Sequence, residues 1–257
     1  MKKIFFLMLI LMLCSCLNTD NSKTVANSIS SSYIIIDAET NEVIEGNNIH
    51  GTRSVASISK IMTAICAIEN TNLYEETIVP KEIEKVDGSS LYLQVNQKVL
   101  VIDLLYGLML RSGNDAAVTL AMTTCNTIEE FVNLMNYKAE QLGLINSKFN
   151  NPHGLDVDDE GNISSAYDIA ILYAYCLKNP LFSQIVATKK YKNYENKNKL
   201  LKNYEYCTGG KTGFTKKARR TLVTSAKKEN KSYIVVTLNY GNDFEFHKNL
   251  YEKYFLK

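Results

Sequence analysis

Hydrophobic and polar positions change their spacing along the chain, and each change marks an element. Tyr33-Ile34-Ile35-Ile36 and Glu42-Val43-Ile44 flank the polar stretch Asp37 to Asn41, which is the pattern of a two-stranded hairpin. From Ala56 to Asn70 the period lengthens. Ile58, Ile61, Ile65 and Ile68 recur at three- and four-residue steps and predict a helix. Val101 to Leu110 is almost wholly apolar, as in a helix enclosed on all sides at the centre of a helical lobe. Asp115 to Met122 resumes a helical pattern, so Ser112-Gly113-Asn114 is expected on a tight turn between helices.

Two more helices are predicted near Thr127 to Leu142 and Ala166 to Lys178. Lys189 to Lys202, rich in Lys, Asn and Tyr, reads as a solvated hairpin or loop, with contact to a polymer or membrane as the alternative. Strand patterns return at Gly210 to Thr215, Thr221 to Ala226 and Ser232 to Asn239. The turns at Lys216 to Ala218 and Lys228 to Asn230 are short, which makes neighbouring strands antiparallel. A last helix is expected from Phe244 to Leu256. Strands at both ends with helices between them predict an α+β fold: one antiparallel sheet built from both chain ends, flanked by helices, with a helical lobe and a cleft.

Composition narrows the possibilities. At 257 residues and 46% hydrophobic the chain can fill one substantial core, possibly in two lobes, and a disordered or fibrous chain is excluded. The formal net charge of +2 supplies no general attraction for nucleic acid, and the three His show no metal-ligand spacing. At the start, Lys2 and Lys3 precede an apolar run from Ile4 to Leu13, too short to span a bilayer and suited to an export signal. Leu13-Cys14-Ser15-Cys16 follows and resembles a bacterial lipobox, although Cys14 is atypical in its second position. Lipidation of Cys16 is the expectation; cleavage with release and an uncleaved anchor are the alternatives. The expected organisation is therefore a signal peptide and lipobox over 1–16, a tether over 17–32 and a catalytic domain over 33–257. Cys66, Cys125, Cys176 and Cys207 permit disulfides, but Cys66 and Cys176 sit in apolar helical patterns as buried small hydrophobes, and no CxxC pair is present.

Three short motifs carry chemistry. Ser57-Ile58-Ser59-Lys60 is an SxxK motif at a helix start, where the i,i+3 spacing puts the Ser57 hydroxyl and the Lys60 amine on one face. A serine hydroxyl needs a base within reach, and Lys60 can serve if burial and nearby positive charge lower its pKa. Ser59 points to another helix face. Ser112-Gly113-Asn114 fits SxN and offers a second hydroxyl for proton relay and an amide for a substrate backbone. Lys211-Thr212-Gly213 lies in a predicted strand after Gly209-Gly210, where glycines admit a substrate backbone and Lys211 with Thr212 can hold a carboxylate. Each motif alone is common. Their order, with SxN 55 residues after SxxK and KTG another 99 residues on, is not.

On these motifs the sequence resembles the serine penicillin-binding proteins and serine β-lactamases, and more narrowly the low-molecular-mass D-alanyl-D-alanine carboxypeptidases. Asn151-Pro152-His153-Gly154-Leu155, Ala166-Tyr167-Asp168 and Gly209 to Thr215 agree with that wording, and the likeness runs from about Tyr33 to the C-terminus. The resemblance implies a β-lactamase/transpeptidase-like fold and a Ser57 acyl-enzyme formed from a peptidoglycan stem peptide ending in D-Ala-D-Ala. It also implies covalent binding of β-lactam antibiotics, no cofactor and no metal. Lys60 would be the general base and Ser112 the relay to the leaving amine, with Asn114 and Lys211 orienting and Thr212 binding the terminal carboxylate. The backbone N–H groups of Ser57 and of Phe214, just after Gly213, would form the oxyanion hole. Arg220 would be a second carboxylate anchor or a solvated strand-edge cation. His153 and Asp168 are expected to hold loops.

Relatives often have Gly where Arg219 stands. Many also carry a further C-terminal β-rich domain, whereas about 40 residues follow Gly213 here, so attachment to the outer face of the cytoplasmic membrane is expected through the N-terminus of a monomer. The alternatives are a β-lactamase, for which no ExxLN stretch lies between Asn114 and Lys211, a D,D-endopeptidase, and a penicillin-sensing or wall-binding lipoprotein.

Overall fold

The computed structural model describes residues 31–156 and 160–256; the expected signal peptide, the lipobox with Cys16 and nearly all of the tether lie outside the described residues. Five strands form the main sheet: β1 (Ser32–Asp37), β2 (Val43–Asn47), β3 (Cys207–Thr215), β4 (Arg219–Lys228) and β5 (Lys231–Leu238). Their order is β2-β1-β5-β4-β3, every pairing antiparallel, so the first strand lies beside the last and both chain ends share one sheet. The α+β plan expected from the sequence is the observed one.

The unbroken apolar run in β1 has a structural cause. Successive strand side chains point to opposite faces. Ile34 and Ile36 enter the main core with Val223, Ile234 and Val236, while Ile35 joins Val235, Ala226 and Tyr233 in a second core. Helices cover both faces, so no polar alternation is needed. The second core is closed by the C-terminal helix, whose Leu250, Tyr251 and Phe255 pack on the sheet. His247 of that helix is fully buried between the Thr224 and Thr237 hydroxyls at 2.7 and 2.9 Å, and burial pushes it down to about 3, so it stays neutral.

On the other face stand α1 (Lys60–Asn70), α2 (Val101–Tyr106), α3 (Asn114–Thr124), α4 (Ile128–Gln141), α5 (Ala166–Leu177) and α6 (Pro180–Ala187), with α7 (Asp243–Phe255) the C-terminal helix. Their starts are written locally: Thr127, Ser165 and Asn179 accept the hydrogen bonds of first-turn N–H groups, and Pro180 opens α6. The apolar run ending at Leu110 is buried as expected. It does not stay α-helical throughout, because Gly107–Arg111 widens into a π-helical turn that ends on Ser112 at φ 66°.

The segment Lys189 to Lys202 corrects the solvated-loop expectation in its second half. Lys190–Tyr191 and Tyr194–Glu195 form a small hairpin, but Asn196, Asn198 and Leu200 are buried. Asn196 donates to the Thr188 carbonyl at 3.0 Å and Asn198 to the Gly209 carbonyl at 3.1 Å, so polar side chains reach the interior by satisfying backbone acceptors. All four described cysteines are free thiols, with Cys66 and Cys176 buried.

The loop before α5 carries a glycine that the packing requires. Gly154 has φ 83°, and a Cβ there would collide with the Ala56 carbonyl oxygen and the Ser59 hydroxyl. Gly154→Ala is expected to lower unfolding free energy by about 2–4 kcal/mol, from left-handed strain plus overpacking, read as a reduced urea midpoint at unchanged m-value.

Candidate active site

Ser57 sits in a 3₁₀ turn, Ala56–Ser59, that leads into α1. Ala56 takes φ 51°, so the residue before the hydroxyl is in the left-handed region. Thr221 of β4 donates to the Val55 carbonyl at 3.1 Å and Ser59 donates to the Ala56 carbonyl at 2.9 Å, which fix the turn from both sides. Gly213 of β3 lies against it: a Cβ at that position would be 3.0 Å from the Ser57 backbone nitrogen. The strand can therefore approach the Ser57 turn only as glycine.

Lys60 is fully buried, and its Nζ meets three oxygens. Ser57 Oγ is 3.2 Å away, Asn114 Oδ1 is 2.7 Å away, and the His153 carbonyl oxygen makes a short contact. Burial, then the nearby Lys211 and Lys197 charges, hold its pKa well below the ordinary lysine value, against an opposing pull from Asp115. A neutral amine has two N–H donors and one lone pair. Asn114 and His153 present only acceptors to Nζ, so a neutral amine would give them its two hydrogens and turn its lone pair to the Ser57 hydroxyl.

The partners of Lys60 are themselves held. Asn114 Nδ2 donates to the Asp87 carbonyl at 2.6 Å, and its backbone N–H donates to the Ser89 carbonyl at 2.7 Å. Asn114 thus faces inward, behind the cleft. The His153 carbonyl is presented by an Asx turn in which Asn151 Oδ1 accepts from the His153 and Gly154 N–H groups. His153 Nδ1 accepts from Leu155 N–H at 3.1 Å, and burial followed by the Lys60 charge lowers its pKa to about 3. Its ring locks the loop. Asp168 likewise accepts from Asn146 N–H and Ser147 Oγ at 2.8 Å each, beneath the start of α5.

Across the cleft, Lys211 is buried and donates to Ser112 Oγ at 3.0 Å and to the Thr212 carbonyl at 2.9 Å. Burial and Lys197 bring its pKa down to about 7. Ser57, Ser112, Thr212, Gly213, Phe214 and Arg220 line a cleft of ≈ 550 Å³, while Lys60, Asn114 and Lys211 stand directly behind it. All nine residues singled out by the motifs and the strand are brought to one place. Arg220 arrives already paired with Asp243.

Other residues of the cleft had no motif to reveal them. Ser89, Asn196, Lys197, Lys199 and Phe244 complete the wall. Lys197 donates to Ser89 Oγ at 3.1 Å. Asp115 pins the neighbouring loop by accepting from Ser90 Oγ at 2.6 Å and from the Leu91 and Leu93 N–H groups. A carboxylate directly after SxN was the available signal for Asp115. Lys197 lies in a Lys- and Asn-rich run whose composition resembles any solvated loop.

A serine and a buried lysine amine, with a second serine and lysine opposite on a glycine-lined strand, define the active-site-serine class to which penicillin-binding proteins belong. A family model described as D-alanyl-D-alanine carboxypeptidase matches residues 19–242. The chain belongs to this family. It is 34% identical over 221 residues to the D-alanyl-D-alanine carboxypeptidase DacF of Bacillus subtilis, covering 80% of this chain and 56% of that protein. The chain thus spans little more than half the length of that curated relative. Among solved structures, the D-alanyl-D-alanine carboxypeptidase of Mycobacterium tuberculosis superposes with a TM-score of 0.76 at 29% identity over 82% of each chain. The Streptomyces K15 DD-transpeptidase gives 0.76 at 30% identity over 80% of this chain and 88% of that one.

The lowered pKa of Lys211 affects stability with a definite sign. Between about 7 and the ordinary lysine value the unfolded chain binds a proton that the folded chain does not, so stability rises with pH through that window. Relative to Lys211→Met, the wild-type protein is expected to gain on the order of 2 kcal/mol of unfolding free energy between pH 7 and pH 9, measured by paired urea titrations.

Proposed function

We propose that the chain is a serine-type D-Ala-D-Ala carboxypeptidase that removes the terminal D-alanine from peptidoglycan stem peptides through an acyl-enzyme on Ser57. The observation that carries this reading is the fully buried Lys60 amine, its pKa held well below the ordinary lysine value and its Nζ 3.2 Å from Ser57 Oγ. Ser57 Oγ attacks the carbonyl carbon of the penultimate D-alanine and its proton passes to Lys60 Nζ. The developing oxyanion takes hydrogen bonds from the backbone N–H groups of Ser57 and Phe214. Ser112 relays a proton to the departing amine, and Lys211, hydrogen-bonded to Ser112, holds that hydroxyl in place. Thr212 and Arg220 receive the terminal carboxylate. Water, deprotonated by Lys60, then attacks the ester carbon and frees Ser57.

A β-lactam presents a carbonyl and a carboxylate in the same relation, so it acylates Ser57 and persists. The expected result is covalent labelling by a fluorescent penicillin that Ser57→Ala abolishes. Lys60→Arg, which cannot lose its proton, is expected to slow labelling at least a hundredfold. Mass spectrometry of a purified stem pentapeptide should give tetrapeptide and free D-alanine. Rapid penicillin turnover would point instead to a β-lactamase, cleavage only of cross-linked peptides to an endopeptidase, and an untouched pentapeptide to a sensor.

The same reading puts the enzyme outside the cell, as a monomer on the outer face of the cytoplasmic membrane. Lys2 and Lys3 before an apolar run, and Leu13-Cys14-Ser15-Cys16 after it, support export and lipidation of Cys16. Cys16→Ala is expected to block incorporation of labelled fatty acid and shift the protein from the membrane fraction to the soluble fraction; a variant that stays lipidated would refute Cys16 as the lipidated residue.

A further inference from the structure

Arg220 stands on β4 directly across from Phe214 of β3 and lines the cleft with its side chain half exposed. It is held from one side only. Nε donates to Asp243 Oδ2 at 3.1 Å and Nη2 donates to Asp243 Oδ1 at 2.6 Å, so the carboxylate covers one edge of the guanidinium. Asp243 is almost wholly buried, and its Oδ1 also accepts the Phe244 N–H at 2.9 Å, which ties it to the first turn of α7. The Phe244 ring lies beneath the cation, 5.5 Å from Cζ to the ring centroid.

The guanidinium has five N–H donors in a planar fork, and Asp243 engages two of them. The Nη1/Nη2 edge keeps a parallel pair of donors whose spacing suits a second carboxylate, and among the described residues no acceptor engages it. An unrestrained arginine would lose much rotamer freedom on binding an anion. Here the buried carboxylate and the ring beneath it have already fixed the fork.

We infer that Asp243 is a positioning residue: it pins Arg220 so that the open Nη1/Nη2 edge receives the terminal carboxylate of the acyl donor, and so sets the preference for free C-terminal D-residues over amidated or cross-linked ones. The inference rests on the carboxypeptidase reading and adds to it a specificity element supplied by α7, outside the three motifs.

The test compares acylation of the full chain by a carboxylate penicillin and by its methyl ester, in wild type, Asp243→Asn, Arg220→Ala and the double variant. Asparagine is isosteric and keeps an acceptor for the Phe244 N–H. The acid-over-ester preference is expected to fall about tenfold in each single variant and no further in the double, since both act through one contact. On stem pentapeptide the Asp243→Asn loss should appear in KM, with kcat within about twofold. An unchanged preference in Asp243→Asn, or equal losses for acid and ester, overturns the inference. Should Asp243→Asn fold poorly, Arg220→Lys keeps the charge but lacks the fork; it is expected to lose the preference, and retention overturns the inference. A wild-type protein inert toward penicillin and pentapeptide alike would overturn the carboxypeptidase reading itself.

Discussion

The arrangement of the cleft depends on one buried amine. A lysine head group taken out of water is costly as a cation, and among the described residues no carboxylate contacts the Lys60 Nζ to offset that cost. The structure meets this by lowering the pKa of the amine and giving it three oxygen partners from three separated parts of the chain. Ser57 comes from the turn before α1, Asn114 from the start of α3 and the His153 carbonyl from the loop held by Asn151 and Asn162. The surroundings of Lys60 are therefore assembled by the tertiary fold: until α1, α3 and that loop are packed together, Lys60 is an ordinary protonated lysine and Ser57 an ordinary serine.

Positive charge reinforces this state. Lys211, Lys197 and Arg111 gather around the cleft, and each disfavours a proton on the next: Lys211 and Lys197 act on Lys60, Lys197 on Lys211, and Arg111 on Lys197. A ligand carboxylate entering such a site is attracted before any contact forms, and it would raise the proton affinity of Lys211 as it binds. Backbone strain is concentrated in the same place. Ala56, next to Ser57, and Ser112, the second hydroxyl, both take left-handed φ values without being glycine. Such conformations persist only where surrounding contacts over-determine them, as the Val55 and Ala56 carbonyl bonds do here.

The sheet supplies the opposite wall. Because β1 pairs with β5, the last sheet position falls to β3, whose outer edge beside the cleft pairs with no strand among the described residues. Gly213 brings that strand within reach of the Ser57 N–H, and Arg219, at φ 60°, turns the chain back into β4 in a conformation that glycine would adopt without strain. The turn then delivers Arg220 to the mouth of the cleft, where α7 meets it with Asp243.

Much of this was legible in the residue order, because local physics wrote it. The two hydrophobic periods separated strands from helices, short polar turns made the terminal strands antiparallel, and i,i+3 spacing joined Ser57 to Lys60 within one turn. The three motifs named their chemistry because each is contiguous. What the linear chain could not express were contacts between residues with no local pattern: the His153 carbonyl, whose role is a backbone atom and not a side chain, and Lys197, whose surroundings read as solvent. The Asp243 carboxylate on Arg220 and the inward turn of Asn196 and Asn198 were hidden for the same reason. Sequence alone determined the elements, the α+β plan and the reacting residue types. Only the tertiary structure decided the lowered pKa values of Lys60 and Lys211 and the direction of Arg220, because desolvation and charge proximity depend on distances that chain order does not contain.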